Sequence, residues 1–250
     1  MNTTYIISGA GSGIGRAIAI KLAESGSNLI LTGRSIASLQ ETKNMLEGAQ
    51  NECYVLDICD RSACMSLAHK LSGKKIDGII ANAGIGGENS FGNDDRWDEI
   101  IATNLTGTYN FVSALVPLLS TNKHNMKHIV IMSSVLARLG VRNYTAYCAS
   151  KSGLLGLMRS WAVELASQNI LVNVIAPGWV ATDMSKQGIE GIARDLSISS
   201  EEFYEIAMQS VPLGKMSQPA EIAQLVHYLL NQSSMTGQCL DINGGSVMNS

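Results

Sequence analysis

Charge is scarce in this chain and close to balanced. Only 16% of its 250 residues are Asp, Glu, Lys or Arg, and the formal net charge is −3. Without a basic excess it lacks the electrostatic footprint of a nucleic-acid binder, so no nucleic acid is expected as a partner. No apolar run approaches the roughly 20 residues that cross a bilayer, so no membrane span is expected. The N-terminus has no basic segment followed by an apolar run, which argues against a secretory signal. Five cysteines are present, an odd number, with neither C-x-x-C nor metal-type spacing. That usage suits a reducing, cytoplasmic setting. His69, His124, His128 and His227 form no ligand pattern, and no metal is expected. There are no repeats, low-complexity tracts or linkers.

What the chain has in quantity is apolar side chain, 46% of the total. That is enough for one large core in a single domain over 1–250. Short apolar runs alternate with amphipathic segments. Strands are expected at 4–8, 28–33, 53–57, 76–82, 128–133, 170–176 and 238–242. Helices are expected near 13–25, 35–47, 60–72, 95–120, 143–167 and 218–231. The alternation predicts an α/β fold with a doubly wound parallel sheet of about seven strands. Ligands in such sheets bind at the carboxyl ends of strands. Gly9, Arg34, Asp57, Asn82, Ser134 and Pro177 each follow a different expected strand, so all six belong on one edge.

The first strand runs into Gly9-Ala10-Gly11-Ser12-Gly13-Ile14-Gly15, and an amphipathic segment follows. Strand, glycine-rich turn and helix is the context of a dinucleotide site. Glycines permit a tight turn close to a pyrophosphate, and the helix N-terminus faces it with free N–H groups. Gly9, Gly13 and Gly15 are the key positions. Their spacing differs from the usual G-x-G-x-x-G.

Tyr147 and Lys151 stand four residues apart, which on a helix places them on one face. A nearby ammonium favours a phenolate and so lowers a phenol's pKa. Ser134 follows the apolar run Ile129-Val130-Ile131-Met132, where its hydroxyl could hold a substrate oxygen against the phenol.

Taken together and in order, Ser8-Gly9…Gly13-Ile14-Gly15, Asn82-Ala83-Gly84, Asn104, Ser134, Tyr147…Lys151, Pro177-Gly178…Thr182 and Asp241-Ile242-Asn243-Gly244-Gly245 resemble the short-chain dehydrogenases/reductases. The resemblance covers essentially the whole chain. Ser8 replaces the commoner Thr and keeps the hydroxyl. The family implies a Rossmann-type nicotinamide dinucleotide site with catalytic Asn104, Ser134, Tyr147 and Lys151. Asn104 would hold a water in a proton relay from the lysine. Asp57, with Ile58, would contact the adenine. Asn82, Ala83 and Gly84 would steady the sheet beside the cofactor. Pro177, Gly178 and Thr182 would approach the nicotinamide. Arg34, with Ser35, stands where an NAD-binding relative carries an acid, and a guanidinium suits a 2′-phosphate. That implies NADP(H), with NAD(H) less favoured. Ser12 tempers this, because many NADP(H) relatives have a second basic residue there.

The segment 185–210 is long for a connection and reads as two short helices, with Ser199 or Ser200 as a cap. It is expected to be a substrate lid that orders on ligand, with Gly188 and Gly191 as flexible points. Arg138, Tyr144, Trp179, Met184, Ile189 and Ile192 are expected to line the substrate pocket. The resemblance is nearest to 3-oxoacyl-[acyl-carrier-protein] reductases and polyketide ketoreductases. It implies NADPH-dependent reduction of a ketone, on a substrate either free or carried by CoA or a carrier protein. The alternative is an NAD(P)-dependent alcohol or hydroxyacyl-CoA dehydrogenase acting oxidatively. A non-catalytic nucleotide sensor would lack Ser134, Tyr147 or Lys151. Lys123, His124, Lys127 and His128 could supply part of a carrier-docking patch, although Gln168 stands where carrier-dependent relatives often have arginine. Apolar residues on several faces of 143–167 point to a homotetramer.

Overall fold

The computed structural model describes residues 3–47, 50–89, 91–92, 95–119 and 126–248. Its centre is one parallel sheet of seven strands in the order β3-β2-β1-β4-β5-β6-β7. The strands are β1 (Thr4–Ser8), β2 (Asn28–Gly33), β3 (Asn51–Val55), β4 (Gly78–Ala81), β5 (Lys127–Met132), β6 (Ile170–Pro177) and β7 (Cys239–Ile242). Successive side chains of a strand point to opposite faces. Ile6, Ile30, Ile79 and Ile129 therefore join one core with Phe111 and Trp161. Ile7, Leu31, Ile80 and Val130 join a second core, with Ile18, Leu22 and Val226, on the other face. Helices cover both faces, which explains why the strands read as continuous apolar runs.

The helices are α1 (Gly13–Glu24), α2 (Ile36–Asn44), α3 (Arg61–Lys70), α4 (Trp97–Ile101), α5 (Thr108–Leu115), α6 (Thr145–Leu165), α7 (Asp183–Leu196), α8 (Ser200–Gln209) and α9 (Pro219–Leu230). Three expectations need correction. β3 begins and ends two residues earlier than 53–57, because its register against β2 pairs Leu29 with Asn51 and Gly33 with Val55. The expected helix at 95–120 is broken into α4, a π-turn over Ala102–Gly107, α5 and a 3₁₀ turn over Val116–Leu118. Periodicity does not reveal a π-turn, because one extra residue per turn leaves the composition unchanged. Gly188 and Gly191 lie inside the single helix α7 instead of at hinges.

The segment after Thr182 does form two helices. Thr182 caps α7 by accepting from Ser185 N, and Ser199 caps α8 in a reciprocal box with Glu202.

The proposed docking patch is also corrected. Lys123 and His124 lie outside the described residues. Lys127 is only 3% exposed and pairs with Asp77, whose other oxygen accepts from Thr4 N. His128 is 5% exposed, and its Nδ1 is buried without a partner among the described residues. Neither presents charge to an acidic carrier.

Burial pushes the His128 pKa down from 6.5 to about 4; the Lys127 charge adds to this and Asp77 opposes it. Between those two values the unfolded chain binds a proton that the folded one refuses, so stability falls as pH falls. The unfolding free energy is expected to drop between roughly pH 6.5 and 4, with His128 contributing up to about 3 kcal/mol. Urea melts across that range should show a shallower pH slope for His128→Leu than for the parent. Equal slopes would contradict this.

Candidate active site

The strand order reverses between β1 and β4, and there a cleft of about 390 Å³ opens at the carboxyl edge of the sheet. Its floor is the turn from β1 into α1. Gly9 and Gly13 adopt φ of +66° and +49°, a region that strongly favours glycine. A Cβ on Gly15 would lie 2.1 Å from the Gly9 carbonyl oxygen, so only glycine lets the first turn of α1 close onto the strand. Gly9, Ser12, Gly13 and Ile14 line the cleft, whereas Gly15 packs beneath it. Ser12, the N-cap of α1, makes no side-chain cap bond.

β1 is fastened to the end of β4 by side chains. The Ser8 hydroxyl accepts from both Asn82 N and Ala83 N at 3.0 Å. Asn82 Nδ2 donates to Ser8 O at 3.0 Å and to Gly9 O at 3.3 Å. Asn82, Ala83 and Gly84 thereby form one wall.

Arg34 and Ser35 stand at one end of the cleft, after β2. Ser35 caps α2 by accepting from Ser38 N, while the exposed Arg34 guanidinium has no hydrogen-bond or ion-pair partner among the described residues. Asp57 and Ile58 line the same end, and Asp57 accepts from Cys59 N at 2.9 Å. Pro177, Gly178, Thr182 and Met184 close the opposite side. Gly178 N donates to Ile242 O, tying this wall to β7.

These residues fit a dinucleotide. A glycine-rich turn and a helix N-terminus share one cleft, as a pyrophosphate would need, and the Arg34 guanidinium stands at its end.

Ser134, Tyr147 and Lys151 also face this cleft. Lys151 Nζ donates to Met132 O at 3.1 Å, and the Lys151 carbonyl accepts from Ser133 Oγ at 2.9 Å. Lys151 Nζ sits 5.4 Å from the Tyr147 ring centroid. Burial pushes Tyr147 up to about 12, with its hydrogen bond to Ser134 pulling the other way. The same burial brings Lys151 down to about 8. A lowered phenol pKa is expected from the sequence; burial raises it instead.

Asn104 sits in the π-turn, fully buried. Its Oδ1 accepts from Ile85 N at 2.8 Å, and its Nδ2 donates to Ile85 O at 3.0 Å and to Ser150 Oγ at 3.2 Å. Ser150 in turn donates to Tyr147 O at 2.8 Å. The carboxamide therefore joins the β4 wall to the tyrosine helix.

Among the expected pocket residues, Met184 lines the cleft and Tyr144 lines an adjoining cavity. Arg138 does not: its Nε donates to Asp241 Oδ1 at 3.0 Å, an ion pair that carries it to β7. Trp179 packs against Ala207, Met208 and Val211, with its ring edge near Gly188. Ile189 is buried and Ile192 half-buried in α7, and neither lines the cleft or the cavity. Ser133, Ser150 and Glu88 escaped the sequence reading. Ser133 and Ser150 have signals in retrospect, one beside Ser134 and one a helical turn after Tyr147. Among the described residues, no group of His, Cys, Asp and Glu could hold a metal, and no helix is long and apolar enough to cross a membrane.

A family model described as enoyl-(acyl carrier protein) reductase matches residues 9–247. The chain belongs to the short-chain dehydrogenase/reductase family. It is 33% identical to the 3-oxoacyl-[acyl-carrier-protein] reductase FabG of Thermotoga maritima, over 97% of each chain. Among solved structures, an actinorhodin polyketide ketoreductase variant with NADPH superposes with a TM-score of 0.91 at 28% identity, over 98% of this chain and 97% of that one. A NAD⁺-bound xylitol dehydrogenase superposes with a TM-score of 0.90 at 28% identity, over 97% and 98%. The chain is thus an oxidoreductase acting between an alcohol and a carbonyl.

Proposed function

We propose that the chain is an NADPH-dependent ketone reductase whose substrate is a thioester of the 3-oxoacyl or polyketide type. The Tyr147 phenol, held in the cleft with Ser134 and Lys151, carries this reading. A bound nicotinamide dinucleotide supplies the hydride. Tyr147 gives its proton to the carbonyl oxygen as negative charge develops there. Ser134 donates a hydrogen bond to the same oxygen and orients it. Lys151, anchored to the end of β5, keeps a positive charge against the ring. Asn104 fixes the spacing between the β4 wall and α6. The FabG relative and the NADPH-bound ketoreductase support the same direction and substrate type.

The unpartnered Arg34 guanidinium supports NADP(H) over NAD(H). A homotetramer is part of the same reading: Val163 on α6 is 81% exposed and Met248 beyond β7 is 78% exposed, apolar surface of a kind that assembly covers.

Tyr147→Phe is expected to lower kcat by about 10²–10⁴-fold while NADPH still binds, since only the donated proton is lost. Steady-state rates beside calorimetric NADPH affinity check this, and a near-normal kcat would remove Tyr147 from the chemistry. Arg34→Ala should cost NADPH affinity about 1.5–3 kcal/mol and leave NADH affinity unchanged. Equal weakening of both would make Arg34 a structural residue. Light scattering at micromolar concentration should give about four times the chain mass of 26.7 kDa; a mass near one chain would refute the tetramer.

A further inference from the structure

Beside the cleft lies a second cavity of about 500 Å³, between the loop after β4 and helix α7. It shares Gly84, Ile85 and Met184 with the cleft, so a substrate held at Tyr147 extends into it. Its wall is polar. Glu88, Arg96, Gln187 and Tyr144 face it, against Ile85 and Met184 as apolar lining. A hydrocarbon chain placed there would strip water from these groups and return no hydrogen bond.

Two of these groups stand out. Tyr144 is only 8% exposed, and its hydroxyl has no hydrogen-bond partner among the described residues. Its ring meets Tyr147 edge-on at 6.3 Å between centroids, which fixes its distance from the reacting group. Gly188 of α7 leaves the hydroxyl room, since even a Cβ there would stay 3.8 Å away. Glu88 is the other. It is half-buried, and it stands near enough to Tyr144 that its charge helps hold the phenol proton. Burial and the Asp195 carboxylate, from the C-terminal turn of α7 and hydrogen-bonded to Glu88, raise the Glu88 pKa in turn, while the Arg194 charge opposes them, so one Glu88 oxygen is engaged and the other is left to accept. Arg96 is already used: Nε donates to Glu99 at 2.8 Å and Nη1 to Gly86 O at 3.2 Å, which steadies the loop that carries Glu88.

Building on the reductase reading above, we propose that Tyr144 and Glu88 form a recognition pair for a hydroxyl on the substrate chain beyond the reacting carbonyl. The phenol donates to that hydroxyl and the carboxylate accepts from it. A hydroxyl is the simplest group that answers both at once. The enzyme therefore prefers oxygenated acyl chains to plain alkyl ones. Both are positioning residues of the bound substrate and take no part in proton transfer.

The test compares ethyl 3-oxohexanoate with ethyl 5-hydroxy-3-oxopentanoate, in which a hydroxyl replaces the terminal methyl. With NADPH, kcat/KM for the hydroxy ester is expected to be about 10-fold higher, the size of one good hydrogen bond to a buried partner. Tyr144→Phe and Glu88→Ala should each bring that ratio toward one. Equal kcat/KM for the two esters in the parent enzyme overturns the inference and leaves the reductase reading intact. A ratio unchanged in both variants overturns it as well. If neither ester is reduced, the rates do not report on the pair, and the reductase reading is tested separately on the corresponding thioesters. Calorimetric binding of the two esters then decides: tighter hydroxy-ester binding that is lost in Tyr144→Phe supports the pair, and equal binding refutes it.

Discussion

Everything in the site depends on how closely β1 approaches the end of β4. At that crossing the sheet reverses its winding and a cleft must open. It opens in one defined shape because the Ser8 hydroxyl accepts two backbone N–H groups from the opposite strand end, while Asn82 returns two bonds to Ser8 and Gly9. The backbone at Gly15 then presses against the Gly9 carbonyl with no space for a side chain. Four hydrogen bonds and one missing Cβ thus set where the glycine turn after β1 faces the wall at the end of β4. A hydroxyl at position 8 is a structural requirement, which Ser meets as well as Thr would.

The second constraint is the coupling of that wall to α6. The π-turn over Ala102–Gly107 carries Asn104 into the core, where its amide clasps the Ile85 backbone and reaches Ser150. Ser150 bonds the carbonyl of Tyr147, and Ser133 bonds that of Lys151. Tyr147 and Lys151 are thereby each held at the backbone by a serine hydroxyl. Such support is what keeps a catalytic geometry within the tight tolerance that proton transfer needs. Burial in the same place raises the phenol pKa and lowers that of the ammonium.

Much of this was legible from residue order. Strand and helix alternation, the glycine turn, Arg34 after the second strand, and the serine, tyrosine and lysine spacing all point to one edge of one sheet, where they are found. Arg138 and the basic cluster near Lys127 were misplaced for a common reason. A long charged side chain can reach in several directions, and its partner is distant in sequence: Asp241 for Arg138, Asp77 for Lys127. Local pattern reports which residues are charged and says little about which of them are already paired.

By itself the sequence determined the architecture and the chemical inventory, because period and turn chemistry are local and each strand announces its own end. Only the tertiary structure decided the state of that inventory. The upward shift of the Tyr147 phenol follows from how much protein surrounds it, the engagement of Asn104 from a loop nineteen residues away in the chain, and the mixed wall of the second cavity from α7 folding over the loop that carries Glu88. Each is a property of distance in space and of water excluded, and neither quantity is written in the order of residues.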